Sequence, residues 1–422
     1  MYAIEAQVRP ARTERALAIL ILLLSLGAFQ NLLVTGPIEK QNMGMPGMQI
    51  LWSFLYLITF ALYFRSCAKP VRNVFAVFPL IGVVTFAFAS TAWSQDPGLT
   101  ARRSIALALS LIFGVYFGSR FQAKEQFRLL AEAFTVCIVF SFFFELFGLN
   151  PSEGIPGWYG VFYQKNILGK AMVLSALVFM FWKRVEPEQR WRANAGLFAS
   201  AVLVLLSRSM TSTVVFALLL LLLPYLRWTL PKSLGWTLAG VALLLLGGTL
   251  SVLWAATHLE AITTAIGRSP MLTGRVPLWI LSVVMALRRP WFGYGFNAFW
   301  LPDDSYVQKI WHLLRWEPPH AHNGFIELWL ELGIVGTGLF LLVFAHYSAK
   351  ATKLLRRSSE PDSAWPLIFL VFLFFTNFTE TVFLAANNIY FILYSSIAIT
   401  LWARAREARS ANGLAMGIKS YA

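Results

Sequence analysis

The chain has 422 residues, of which 58% are hydrophobic and only 13% charged, about half the charged share of an ordinary soluble domain. Apolar runs of about twenty residues, the length that crosses a bilayer as a helix, recur from end to end, which excludes a soluble enzyme and also a closed β-barrel, whose strands are short and alternating. The formal net charge is +15, but the basic residues form short clusters between apolar runs, so membrane topology accounts for them and no nucleic-acid partner is expected.

The N-terminus carries a basic stretch and then an apolar run that is long for a signal peptide and lacks a small-x-small cleavage site, so it reads as an uncleaved first span. Twelve apolar segments follow in order, at about 16–34, 48–64, 74–93, 104–119, 127–147, 167–182, 193–207, 212–226, 235–256, 324–347, 364–380 and 387–403. With the N-terminus in the cytoplasm, 23 of the 35 Lys and Arg residues fall in the inner loops, as the positive-inside rule requires. The expectation is an all-α polytopic membrane protein with about 12 spans and both termini cytoplasmic. Three parts follow: 1–194 with six spans, a core over 195–345, and 346–422 with two spans and a basic tail. Cys67 in a polar loop and Cys137 in an apolar run fit neither a disulfide nor a metal thiolate.

One outer loop is long, at about 257–323. Within it Val276, Trp279, Ile280, Val283, Val284 and Leu287 recur at helical spacing, which predicts an amphipathic helix on or near the membrane. "GYGF" (293–296) then reads as a turn.

Several basic residues stay on the outer side against the orientation trend. They are Arg102 and Arg103 in "SQDPGLTARRS", Lys165 and Lys170 in "VFYQKNILGK", Arg208 in "LLSRSMTS", and a group including Arg275 in the long loop. The segments flanking Arg208 span roughly 21 to 23 Å, short of a ~30 Å hydrocarbon core. That places Arg208 below the outer surface, either facing a polar cavity or snorkelling to the interface. Arginines converging on one cavity favour an anionic ligand, because guanidinium binds phosphate oxygens in a fork and stays charged. A lipid-linked pyrophosphate would suit a site open to lipid and to the periplasm. No phosphate-loop motif is present.

"PPHAHNGFIELWLELGIVG" (318–336) sets His320 and His322 before a helix. Three readings stand at this point. They are metal ligands assisted by a nearby carboxylate, although the spacing is not that of a metal site; interfacial residues next to an Asn323 N-cap; or a base that accepts a hydroxyl proton. Glu327 and Glu331, four apart, fit either a proton relay or packing with a cavity-facing carboxylate. Asp96 beside Pro97 reads as a turn and helix cap.

His322-Asn323, nine residues, Gly333, two residues and Gly336 resembles the His-Asn-x9-Gly-x2-Gly signature of the O-antigen ligase and polymerase superfamily. "TGR" (273–275) before Trp279, "FGYGFNAF" (292–299) and "SR" (207–208) fit the same pattern. Upstream, "WSQDPGLTARRSIALALSLIFGVYFGSRF" (93–121) and "VFYQKNILGKAM" (161–172) are similar to the ExoQ-like exopolysaccharide polymerase branch. The resemblance implies a metal-independent, cofactor-free inverting glycosyltransferase of the GT-C type in the bacterial inner membrane, acting at its periplasmic face. The implied donor is a glycan on undecaprenyl diphosphate. The acceptor is another lipid-linked repeat unit in a polymerase, or lipid A-core in a ligase. The family's catalytic base maps onto His322 and its diphosphate binders onto Arg275 and Arg208, with Arg102 or Arg103, and Lys165, as further basic positions. Asn323, His320, Glu331, Gly333 and Gly336 are supporting residues. Membrane lipid, chain-length regulators and export proteins are candidate partners. The rivals are a flippase for lipid-linked oligosaccharide, disfavoured because no paired broken helices in two related halves are visible, and a non-catalytic export scaffold.

Overall fold

The structure is a computed structural model describing residues 10–29, 46–66, 73–149, 156–229, 233, 235–236 and 275–419. All but the first two residues of the expected span 235–256, the first part of the long loop and Cys67 lie outside the described residues. The described helices are α1 (Arg12–Ser25), α2 (Pro46–Ser66), α3 (Phe78–Ala89), α4 (Pro97–Arg120), α5 (Ala123–Leu146), α6 (Lys165–Val185), α7 (Arg190–Leu206) and α8 (Met210–Thr229). They continue with α9 (Arg275–Arg288), α10 (Ser305–Leu314), α11 (Gly324–Arg357), α12 (Trp365–Thr376) and α13 (Ile389–Lys419). Among the described residues six helical stretches are long and apolar enough to cross a membrane, and α8 and α12 offer shorter apolar stretches. The chain is therefore a multi-pass, all-helical membrane protein.

Local chemistry sets several boundaries. Asp96 accepts from the Leu99 N–H and Pro97 opens α4, as the cap reading expected. α6 lies at the centre, buried along most of its length. α13 runs along α4, where a Cβ on Gly114 or Gly118 would meet Ser395 or Ser396, so small residues bring the two backbones together. At one end of the bundle ion pairs join the loops that carry inward basic residues. Arg15 pairs with Glu125, Arg120 with Glu14, Arg128 with buried Glu186, and Arg404 with Asp362. These contacts gather alternate loops at one end, as the charge pattern expected.

The expected amphipathic helix is α9. Its Val276, Ile280, Val284 and Leu287 are exposed, while Leu278, Ser282, Met285 and Ala286 face inward. The helix thus has two faces, one packed against α11 and one apolar face left for lipid.

α11 is broken at Gly333, whose φ of 66° and ψ of −174° are not helical. An unbroken helix would carry bonds from the 334 and 335 N–H groups to the 330 and 331 carbonyls. Instead the Ile334 N–H donates to Pro290 O at 2.8 Å and the Val335 N–H to Trp291 O at 3.1 Å. The freed Leu330 and Glu331 carbonyls accept from the Tyr294 and Gly295 N–H groups at 2.8 and 2.9 Å. The segment 290–295 has entered the helix, and every backbone group displaced by the break is paired again, as burial demands. A Cβ on Gly333 would run into the Trp291 carbonyl, and one on Gly336 would meet Phe86. The same segment rests on 93–100. The Gln95 N–H donates to Tyr294 O at 3.0 Å, Trp93 Nε1 to Phe292 O at 2.8 Å and the Thr100 hydroxyl to Phe296 O at 3.0 Å. Three separate sequence motifs therefore form one joint.

Two expectations need correcting. The segment 364–380 is not one span. α12 stops at Thr376, and 377–388 is non-helical apart from turns. The twelve residues of α12 rise about 18 Å. From Ile389 to Arg404, which pairs with Asp362 at the foot of α12, the rise is about 23 Å. The loop 377–388 therefore hangs below the far surface of a ~30 Å core, which is tolerated because it is buried in protein and lines a cavity. The helices flanking Arg208 have 17 and 20 residues, or about 26 and 30 Å, so shortness does not draw Arg208 below the surface.

Gly333→Ala is expected to destabilise by about 2 kcal/mol or more, because both the φ and the Trp291 carbonyl oppose a Cβ. Gly338→Ala, five residues on in open space, should be neutral or mildly stabilising. Melting of the two purified variants in detergent distinguishes them. Equal melting temperatures would contradict the joint.

Candidate functional site

The 320–323 turn is held from several sides. The Ala321 N–H donates to Glu327 Oε2 at 2.6 Å and Ala321 O accepts from Trp279 Nε1 at 3.0 Å. Glu327 also accepts from Trp300 Nε1 at 3.0 Å. Asn323 caps α11, its Oδ1 accepting from the Phe325 and Ile326 N–H groups, while its Nδ2 donates to Phe378 O at 3.1 Å. The expected cap is thus present. Between these anchors His322 adopts a φ of 50°, which costs a non-glycine residue on the order of 1 kcal/mol. It is 8% exposed and its Nδ1 is buried without a hydrogen-bond partner. The His320 and His322 rings pack at 4.1 Å between centroids, tilted by 56°, and the His322 N–H donates to His320 Nδ1 at 3.1 Å. The two histidines form one unit.

Beneath them lies a residue that sequence reasoning passed over. Glu380, 4% exposed, accepts from Lys170 Nζ at 3.1 Å on one oxygen and from Arg275 Nη2 at 3.3 Å on the other. Arg275 Nη1 donates to Thr379 O at 2.6 Å. Asn377 builds the turn that presents Glu380. Fully buried, it accepts from the Val382 and Phe383 N–H groups, and its carbonyl accepts from the Gly324 N–H at 2.8 Å. The available signal was a single carboxylate in "FLFFTNFTET", since an acid at membrane depth marks function by default.

Electrostatics separates the titratable groups here. Burial pushes the Glu380 carboxyl up, but the charges of Lys170, His322 and Arg275 outweigh it and hold it at about 2. Burial first, then Arg275 and Lys170, hold His322 down at about 4 against the opposing pull of Glu380. Burial and the His322 neighbour push His320 well below its ordinary value. At neutral pH the site contains two neutral imidazoles, one carboxylate and fixed cations.

A cavity of about 550 Å³ opens beside this cluster. Arg102, Arg103, Lys170, Tyr163 and His320 line its polar part, and Leu24, Trp52, Ile105 and Leu109 its apolar part. Arg103 also faces Glu331 electrostatically. Glu331 lies one turn from Glu327 on α11, and both are buried. Such a cavity suits an amphiphile with an anionic head.

Of the sequence-predicted residues, Arg275, His320 and His322 cluster around Glu380, and Arg102 and Arg103 share the cavity with His320. Asn323, Glu331, Gly333 and Gly336 belong to the turn and the joint. Lys165 donates to Pro156 O at 2.9 Å, whereas Lys170, further along α6, reaches Glu380. Arg208 is exposed at the α7–α8 turn with a φ of 50° and is not among the cavity-lining residues. Among the described residues no three His, Cys, Asp or Glu side chains form a metal-binding group.

The low values also govern stability. A histidine held at about 4 leaves the unfolded chain binding more protons between its ordinary value and 4, so stability falls as pH drops through that window, by on the order of 3 kcal/mol. Glu380, held at about 2, adds stability present above its ordinary value and lost as pH falls towards 2. Melting temperature in detergent should decline from pH 6.5 to 4.5, and less steeply in His322→Gln. Identical slopes would contradict the neutral, buried His322.

Residues 193–341 match the family described as O-antigen ligase. Over 327 residues, 74% of this chain and 72% of the relative, the chain is 25% identical to the exopolysaccharide production protein ExoQ of Rhizobium meliloti (strain 1021). The family match takes in α7, α9, the 290–295 insertion, the two histidines and the Gly333 break, and the ExoQ similarity extends well beyond it. The chain is thus similar over 193–341 to the O-antigen ligase family and, over most of its length, to an exopolysaccharide production protein.

Proposed function

We propose that the protein is a polysaccharide polymerase joining undecaprenyl-diphosphate-linked repeat units at the periplasmic face of the bacterial inner membrane. The observation that carries this reading is a buried His322, its Nδ1 without a hydrogen-bond partner, packed against His320, which lines an amphiphilic cavity together with Lys170, Arg102 and Arg103. The similarity to an exopolysaccharide production protein over 74% of the chain favours polymerase. The description of the matched family favours a second reading, transfer of the glycan to lipid A-core. The clustering of basic loops at the end opposite the site supports cytoplasmic termini.

In this reading His322 takes the proton of an acceptor sugar hydroxyl. The oxygen attacks the anomeric carbon of the donor from the face opposite the diphosphate. A new C–O bond forms, the anomeric C–O bond to phosphate breaks, and lipid diphosphate leaves with the electron pair, so the configuration inverts. The leaving group gains about one negative charge, and fixed cations aimed at developing charge stabilise it. Arg275, Arg102, Arg103 and Lys170 supply those cations, and a guanidinium fork holds two phosphate oxygens at once. The His322-Asn323 cap and Glu331 support the geometry, and Gly333 and Gly336 permit the break that delivers it.

His322→Ala should abolish high-molecular-weight polysaccharide at unchanged protein level, and retained polymer would overturn the assignment. Arg275→Ala should lower kcat/KM by about 10² to 10³. Arg275→Lys should recover little, since an ammonium lacks the fork. The acidic limb of the kcat/KM profile should fall near pH 4, where His322 gains its proton. A limb at the ordinary histidine value would contradict the desolvated base.

A further inference from the structure

The two histidines share a turn but not a chemical situation. His320 lines the cavity with Arg102, Arg103 and Lys170. Its Nδ1 is occupied, accepting the His322 N–H at 3.1 Å. An imidazole whose Nδ1 accepts carries its hydrogen on Nε2 while it is neutral. Buried beside His322 and near Arg275 and Lys170, it stays neutral at physiological pH. The backbone of one histidine thus sets the tautomer of the other, and the ring facing the cavity presents a donor and no free acceptor. Such a group cannot serve as a base. It can donate to an anionic oxygen without adding another formal charge.

We infer that His320 is a hydrogen-bond donor to the phosphate oxygens of the departing lipid diphosphate, dividing the work with His322, which takes the acceptor's proton. The inference rests on the proposed polymerase reading for the identity of the anion. The division has a physical reason. A charged group at position 320 would stand 4.1 Å from the ring that must accept a proton, and a cation there would oppose that acceptance. A neutral Nε2–H stabilises the leaving oxygen without this cost. It donates a hydrogen bond and not a proton, so the diphosphate departs ionised and the only proton transferred ends on His322.

The test uses two variants that divide the imidazole's functions. His320→Asn keeps an acceptor near the Nδ1 position for the His322 N–H but has no group at the Nε2 position. His320→Gln can place an N–H where the Nε2–H was. Purified wild-type and variant proteins are assayed for extension of a lipid-linked repeat unit and for binding of polyprenyl diphosphate. The expected result is a loss of about tenfold to a hundredfold in kcat for His320→Asn, with polyprenyl diphosphate bound about tenfold more weakly, and largely retained activity for His320→Gln. Full activity in His320→Asn, or its activity with loss in His320→Gln, would overturn the inference and leave His320 as support for the turn. Unchanged polyprenyl diphosphate affinity in His320→Asn would overturn it as well. If wild-type protein extends nothing, the polymerase reading fails, and the binding arm still decides whether His320 contacts a lipid diphosphate.

Discussion

The structure turns on the break in α11. A helix that continued through Gly333 would leave 290–295 without its backbone partners. Four backbone hydrogen bonds to 290–295 open it there instead. Two ladder bonds are given up and four are made, so the break leaves no buried peptide group unpaired. Only glycine tolerates the Trp291 carbonyl against position 333. The short arm between Asn323 and the break braces both the histidine turn and the turn that carries Glu380. That arm carries Glu327, which pins Ala321, and its first N–H is bonded to the turn that presents Glu380. The loop after α9 thus acts as a splint for the span.

The second constraint is charge. Lys170, Arg102 and Arg103 line one recess, and Glu380 beside it grips Lys170 and Arg275. Buried cations repel one another and lose hydration. One carboxylate offsets part of that cost, orients Arg275 and Lys170, and leaves the recess net positive. The same field has the opposite effect on the imidazoles. Cations nearby, together with burial, keep both histidines neutral where Glu380 alone would charge them. A cationic recess and neutral imidazoles beside it therefore follow from one set of residues.

Much of this was legible in the sequence. Apolar runs and basic loops show the membrane class, and Asp96 and Asn323 are caps readable from residue type and position. The motif spacing leads to His322. The relation between motifs was not legible, because hydrogen bonds between 290–295 and 330–335 leave no periodic mark. Glu380 was missed because an apolar run with an acid at its end looks like an ordinary span terminus. Only the turn built by Asn377 shows that the helix ends early. How His320 relates to His322 is not legible, because nothing in HAHN reveals that one histidine's backbone N–H occupies the other's ring nitrogen. Arg208 was given depth from flanking runs counted too short, since helical residues of mixed polarity extended both helices past the apolar core.

The central claim is that the recess binds a lipid diphosphate as the leaving group of glycosyl transfer. Its most direct measurement is reaction of the purified protein with a defined undecaprenyl-diphosphate-linked repeat unit, with and without lipid A-core and without added metal. The account predicts glycans lengthened by whole repeat units, inverted linkages and release of one lipid diphosphate per bond formed, in the absence of lipid A-core. Movement of the intact lipid-linked unit across the bilayer with no new glycosidic bond would contradict it.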